Sequence, residues 1–198
     1  MKKIMINKLL LAFGLLLSGF VSAQNFTSIQ YTVGVPFGDL KDHTSNLSGR
    51  GLTFQFQTEI EPAITVGINL GYSVFYERKA YDSYSQGTAT LTGVQYRYNN
   101  MFPMMVNAHY AFGTRTIMPY LGLGVGTLYN MRSTQMGLYS VKENNWHFLL
   151  SPELGFMVDL SADIGIKINA IYDNAFKTRE MDAFGNLRLN IGFIFMSF

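Results

Sequence analysis

Between Ile64 and Tyr76 the chain alternates strictly: Ile64, Val66, Ile68, Leu70, Tyr72, Val74 and Tyr76 are apolar or aromatic. Between them lie Thr65, Gly67, Asn69, Gly71, Ser73 and Phe75, mostly small or polar. A period of two is a strand. The same alternation recurs until there are more apolar faces than polar sequence to cover them. A soluble sandwich would have to bury all of those faces, whereas a closed barrel in lipid turns them outward and keeps the small polar face in the lumen.

The first residues shape the mature composition. Met1-Lys2-Lys3 is followed by an apolar block containing Leu9 to Leu11 and Leu15 to Leu17, and then by Val21-Ser22-Ala23. A basic start, a short apolar core and a small-x-small end predict a secretory signal over residues 1–23, cleaved after Ala23. The block falls short of the ~20 residues an anchoring helix needs. Removal takes away Lys2, Lys3 and Lys8 and no acid, so the formal charge of +2 becomes −1. A near-neutral chain gives no reason to expect nucleic-acid binding. The absence of cysteine excludes disulfides and thiolate metal sites. Residues 24–198 are expected to form one domain that enters a membrane through strands alone.

Eight strands are predicted in chain order. The first runs from Gln24 to Pro36 and is followed by a polar loop, Gly38 to Ser48. Gly49 to Ile60 and Ile64 to Tyr76 flank the turn Glu61-Pro62-Ala63, with Ile60 expected opposite Ile64. A loop then leads through Gly87 into a long segment ending at Phe112. Asn99-Asn100 could split that segment and raise the count to about nine, but Val94, Tyr96, Tyr98, Phe102, Met104, Val106, Ala108, Tyr110 and Phe112 keep one parity. One strand is the expectation. Twelve steps from Tyr98 to Tyr110 at ~3.3 Å, tilted by ~40°, project to about 30 Å, close to the ~25 Å apolar band of such barrels. The turn Gly113 to Thr116 and strand Ile117 to Tyr129 follow. Next come a loop from Met131 to Asn145, the strands Trp146 to Leu160 and Ile164 to Tyr172, a loop from Asn174 to Gly185, and the strand Leu187 to Phe195.

Aromatic positions give an independent check. Tyr72, Tyr76, Tyr96, Tyr98, Tyr129, Trp146 and Tyr172 fall at the long-loop end, and Phe56, Tyr110, Phe112, Phe156, Phe193 and Phe195 toward the short-turn end. These are expected to form two interfacial girdles. Gly122, Gly124 and Gly126 alternate within a strand with no helix start after them, so they are read as making room in a crowded lumen rather than cradling phosphate. Pro152, which lacks a ladder donor, is expected to weaken its strand locally.

The alternating strands, the signal, the segment Pro119-Tyr120-Leu121-Gly122-Leu123-Gly124-Val125-Gly126 and the terminal Phe198 together make the chain similar to the small outer-membrane β-barrel family of OmpA/OmpX type. The resemblance implies an all-β, eight-stranded antiparallel up-and-down transmembrane β-barrel in the outer membrane of a Gram-negative cell. It also implies contact with outer-membrane lipid and recognition by the barrel-assembly machinery through a terminal aromatic. Here the strong apolar register, Leu187 to Phe195, is odd and Phe198 is even, so a bulge or a loosely read signal is expected. Members of the family include adhesins and envelope-structural proteins, which implies a structural or surface-binding role through the extracellular loops.

An eight-stranded barrel is only just wide enough for its side chains, so luminal charges must pair or hydrate. By parity, an ion-pair plug is expected from Glu59, Arg97, Glu153, Lys167 and Arg188, with Glu153 and Lys167 as a diagonal pair on successive strands. The alternatives are a narrow passive pore or small-hydrophobe conduit and, at more distance, a lipid-modifying enzyme. His147 and Ser151 share a face but stand roughly 13 Å apart along a strand, so no catalytic residues are assigned. His43, His109 and His147 lack metal-ligand spacing, and no cofactor is expected. At the rim, Tyr81, Tyr84, Arg132 and Tyr139, with Met131, Met136 and Trp146, suit a contact surface for an extracellular partner.

Overall fold

The computed structural model describes residues 24–86, 89–113, 117–179 and 181–197. The expected signal over residues 1–23, Gly87, the turn residues Thr114 to Thr116 and the terminal Phe198 lie outside them. The strands are β1 (Asn25–Gly38), β2 (Ser48–Glu61), β3 (Ile64–Gln86), β4 (Ala89–Ala111), β5 (Ile117–Met136), β6 (Tyr139–Asp159), β7 (Ile164–Ala175) and β8 (Phe184–Ser197). Each pairs antiparallel with its sequence neighbour, and β1 pairs with β8 to close a single barrel. Among the described residues no helix is long and apolar enough to cross a membrane. Only strands span.

Burial is inverted relative to a soluble protein. Ile29, Leu52, Ile68, Val106, Leu123, Leu154, Ile191 and Phe193 are exposed on the outer wall, while Gln30, Thr53, Gln55, Asn69, Lys167, Asp173, Arg188 and Asn190 are buried inside. In water so broad an apolar exterior would demand a partner, and hydrocarbon is that partner. A run of ring contacts crosses four strands at the long-loop end: Tyr72 with Phe102, Phe102 with Tyr129, and Tyr129 with Trp146, at centroid separations of 4.7, 6.4 and 4.7 Å. Tyr76 and Tyr98 pair at 5.0 Å, and Tyr110 and Phe112 meet at 6.1 Å toward the other end.

Several expectations change. β4 is one strand, and Asn99 and Asn100 sit inside an unbroken register against β5. The expected loops after Tyr76 and Met131 are largely β-structure: β3 runs on to Gln86, and β5 and β6 join through Gly137-Leu138, with Met136 opposite Tyr139. Gly137 takes φ +56°, which favours glycine at the first position of a two-residue hairpin turn. Beyond the girdle both faces of a strand meet water. No apolar alternation is then required, so hydropathy carried no strand signal there.

At the short-turn end Ile64 faces Glu61 rather than Ile60, with a bulge between Glu59 and Glu61. The β1–β8 register is continuous from Gly38 opposite Phe184 to Asn25 opposite Ser197, so no bulge interrupts the described part of β8. The even residues Ile194 and Met196 point inward. Pro152 has the expected effect. The β6–β7 pairing skips from Leu150 opposite Asn174 to Glu153 opposite Ile171 without changing register, and Ser151 Oγ bridges the gap by donating to Asp173 Oδ1 at 2.8 Å.

One element was not anticipated. The expected loop after β1 contains a short helix, α1 (Asp39–His43), which turns inward so that Leu40 is fully buried.

Candidate functional site

The lumen is filled in layers. Beneath α1, Leu40 joins Phe75, Met101, Met105, Leu128, Leu149, Ala175, Met181 and Phe184 in an apolar cluster. A smaller one at the short-turn end holds Tyr120, Met157 and Ile194, with Phe26, Ala111 and Met118 against it. Glu153, Lys167, Asp173 and Arg188 are buried in the lumen alongside them.

Glu153, reaching in from β6, is the hub. Its Oε1 accepts from Tyr120 Oη at 2.6 Å and Asn169 Nδ2 at 2.7 Å. Its Oε2 accepts from Gln55 Nε2 at 3.2 Å and faces His109 Nε2 at 3.1 Å. Lys167 Nζ stands 3.9 Å away, donates to Gln55 Oε1 at 2.6 Å and Gln57 Oε1 at 3.3 Å, and lies 4.8 Å from the centre of the Tyr120 ring. A carboxylate only accepts, so the neighbouring N–H and O–H groups point at it. With its oxygen on Lys167, Gln57 presents Nε2 to His109 Nδ1 at 2.7 Å, so Nδ1 accepts and Nε2–H donates to Glu153. Among these buried side chains one carboxylate faces one ammonium. Tyr120 stacks on the His109 ring at 4.8 Å.

A second pair lies next to it. Arg188 grips Asp173 through Nε to Oδ2 at 2.6 Å and Nη2 to Oδ1 at 2.9 Å, and its Nη1 reaches Thr53 Oγ1 at 3.2 Å.

Of the five residues expected in one plug, the structure brings Glu153 and Lys167 into contact and places Arg188 in a separate pair. Glu59 is a correction: it is half-buried at the short-turn rim, next to the bulge, and has no ion pair among the described residues. Arg97 is another. It lies at the opposite end, where Nη1 donates to the carbonyls of Asp42 and His43 at 3.2 Å each, so the barrel's length separates it from Glu59. His109 and Asp173, which complete the two clusters, were not among the expected plug residues. Tyr120 was read with the glycine face beside it. What would have pointed to it is a tyrosine on the luminal parity between small residues, since its hydroxyl must then find a buried acceptor.

The rim set divides as well. Tyr81 and Tyr139 are exposed, and Tyr84 donates its hydroxyl to Ala80 O. Arg132 is corrected, being buried and paired with Asp39 of α1, its guanidinium 5.8 Å from the Phe184 ring centre. Met136 also turns inward. His147 and Ser151 are engaged apart, His147 Nδ1 with Phe176 O at 2.9 Å and Ser151 with Asp173.

Gly122 makes the hub possible. A Cβ there would lie 2.4 Å from His109 Cδ2 and 2.9 Å from Nε2. Gly122→Ala is expected to push the imidazole off Glu153 and destabilise the barrel by about 1–3 kcal/mol, read as a lower denaturant midpoint for the barrel refolded in lipid vesicles.

The fold is that of the small outer-membrane β-barrels. Ail, the attachment invasion locus protein of Yersinia pestis, in complex with the heparin analogue sucrose octasulfate, superposes with a TM-score of 0.55 at 10% identity, covering 88% of this chain and 99% of Ail. The outer membrane protein OprG from Pseudomonas aeruginosa gives 0.53 at 12% identity, covering 89% and 96%. The outer membrane protease OmpT from Escherichia coli gives 0.51 at 6% identity, covering 89% and 97%. No protein-family model matches the sequence, and no curated relative is found. At these identities the likeness is one of architecture.

Proposed function

We propose that this chain is a non-enzymatic outer-membrane barrel of a Gram-negative cell, exported by its N-terminal signal and inserted by the barrel-assembly machinery, that acts through its extracellular surface. The observation that carries this reading is the contrast between lumen and rim. The lumen is occupied by apolar layers and by paired charges whose hydrogen-bonding partners are one another. The hairpins of β3–β4 and β5–β6 continue well past the aromatic girdle and carry exposed Tyr81, Leu138, Tyr139 and Val141. Paired side chains in a packed interior anchor a protein; exposed aromatics on a rigid extension suit recognition of another macromolecule.

The hub has the residue types of a catalytic site, but His109 and Glu153 are almost completely buried among their own partners, which supports a structural role for them over a catalytic one. A narrow pore is the second reading, because the same ion pairs would line it if they moved.

Single-channel recording of the refolded protein separates the two. The expected result is silence from wild type, Glu153→Gln and Lys167→Met, together with loss of cell-surface or glycan binding when residues 134–141 are replaced by a short turn. Steady conductance altered by either charge change would make the lumen the working part and overturn the surface reading.

A further inference from the structure

α1 is a stopper rather than a piece of wall. Its five residues are too few to hold a helix in water unaided, so its structure depends on what it docks against. Leu40 enters the apolar layer, Asp39 pairs with Arg132 of β5, Arg97 of β4 takes the carbonyls at its C-terminal end, and Ser45 N donates to Glu77 Oε2 of β3 at 2.6 Å. His43 completes the set. It bonds the backbone carbonyl of Tyr98, while its Nε2 is buried with no partner among the described residues. A ring held through Nδ1–H carries its lone pair on Nε2, the atom that takes the next proton. The charges around that atom are dominated by Arg132 and Arg97.

We propose that α1 is an acid-released stopper of the extracellular mouth, with the proton taken up at His43 Nε2 acting as the trigger. The added charge would be repelled by the Arg132 and Arg97 guanidinium groups, and its new N–H would have no acceptor among the described residues. Detachment of α1 relieves both problems by returning His43 to water.

The sign follows from where the proton binds better. Burial first, and then Arg132 and Arg97, push docked His43 down to about 4 from its ordinary 6.5. The detached segment therefore binds the proton more tightly. Docking is at full strength above pH 6.5 and weakens by up to tenfold per pH unit as pH falls toward 4, about 300-fold in all. Other groups on the same surfaces are the α1 charges Asp39, Lys41 and Asp42, the Glu77–Lys79 pair on β3, Glu143 and His147 on β6, and the exposed Lys177–Asp182 pair after β7. Against the upward push of burial, Lys79 and the Ser45 amide hold Glu77 below the usual carboxylate range, so its slope falls at the acid end, and His147 is the other imidazole, which the test separates from His43.

The Thr44 amide donates to Leu40 O at 2.8 Å, closing α1, and its hydrogen-exchange protection reads the rare open state even when docking is strong. In the full barrel in micelles, Thr44 protection, corrected for intrinsic exchange, is expected to fall by about two orders of magnitude from pH 7 to pH 4 while β1 amides stay constant. His43→Gln should flatten the profile, and His147→Gln should leave its slope. A flat wild-type profile, an undiminished slope in His43→Gln, or a slope that disappears in His147→Gln overturns the proposal.

Discussion

Glu153→Leu is expected to destabilise the barrel by about 3–5 kcal/mol, the range for removing one member of a buried ion pair, whereas Lys167→Met should cost less than half as much. The asymmetry follows from what each leaves behind. Without Glu153 the Lys167 ammonium keeps only the two glutamine oxygens, and the donors of Tyr120 and His109 lose their acceptor. Without Lys167 the carboxylate still accepts from Tyr120, Asn169, Gln55 and His109, a shell of hydrogen bonds that stabilises an isolated anion. Denaturant titration of vesicle-refolded protein, followed by tryptophan emission and gel mobility, gives both numbers. Equal losses would mean that the 3.9 Å ion pair, rather than the hydrogen-bonded shell, stabilises the lumen. The double variant Glu153→Gln with Lys167→Met should be milder than the sum of its parts, because it removes both charges together.

The sequence shows the barrel wherever lipid imposes alternation. From Ile64 to Tyr76, or Leu187 to Phe195, one face must be apolar and the strand is plain. The requirement lapses past the girdle, which is why 77–86 and 131–145 read as loops although they are paired. Charge in the lumen was legible as parity but not as partnership. Parity fixes a direction, while pairing depends on depth, and the stagger of tilted strands decides depth. Glu153 and Lys167, on adjacent strands four residues off register, could be matched by counting. Arg188 and Asp173, two residues off register, could be matched by counting too, yet Arg188 was drawn to the glutamates because parity alone does not rank acids by height.

The apolar layer under α1 was hidden for a different reason. Phe75, Met101, Met105, Leu128 and Leu149 all sit on the luminal parity, where a two-sided barrel pattern assigns polar residues. Such exceptions look like noise singly. Taken together they mark a level of the lumen that is dry, and a dry level open to solvent needs a cover. Leu40, the buried one of the two leucines in the polar stretch Gly38 to Ser48, supplies it.

The second large effect concerns Arg188. Arg188→Met is expected to destabilise the barrel by about 3–5 kcal/mol, since Asp173 would be left buried and charged with only Ser151 and Asn186 to donate to it. Arg188→Lys should recover little of this. A single ammonium cannot reproduce the two parallel bonds to the carboxylate and the third to Thr53. The backbone has been shaped for the guanidinium: a Cβ on Gly71 would lie 2.9 Å from Arg188 Nη1 and 2.7 Å from Pro103 Cγ. Gly71→Ala should therefore also destabilise, by about 1–3 kcal/mol, and less so in the Arg188→Met background, where the flexible thioether can give way. Thermal and denaturant unfolding of the four proteins tests the coupling. Additive losses would show that Gly71 accommodates Pro103 alone, and sub-additive losses that the glycine and the arginine form one fitted unit across the lumen.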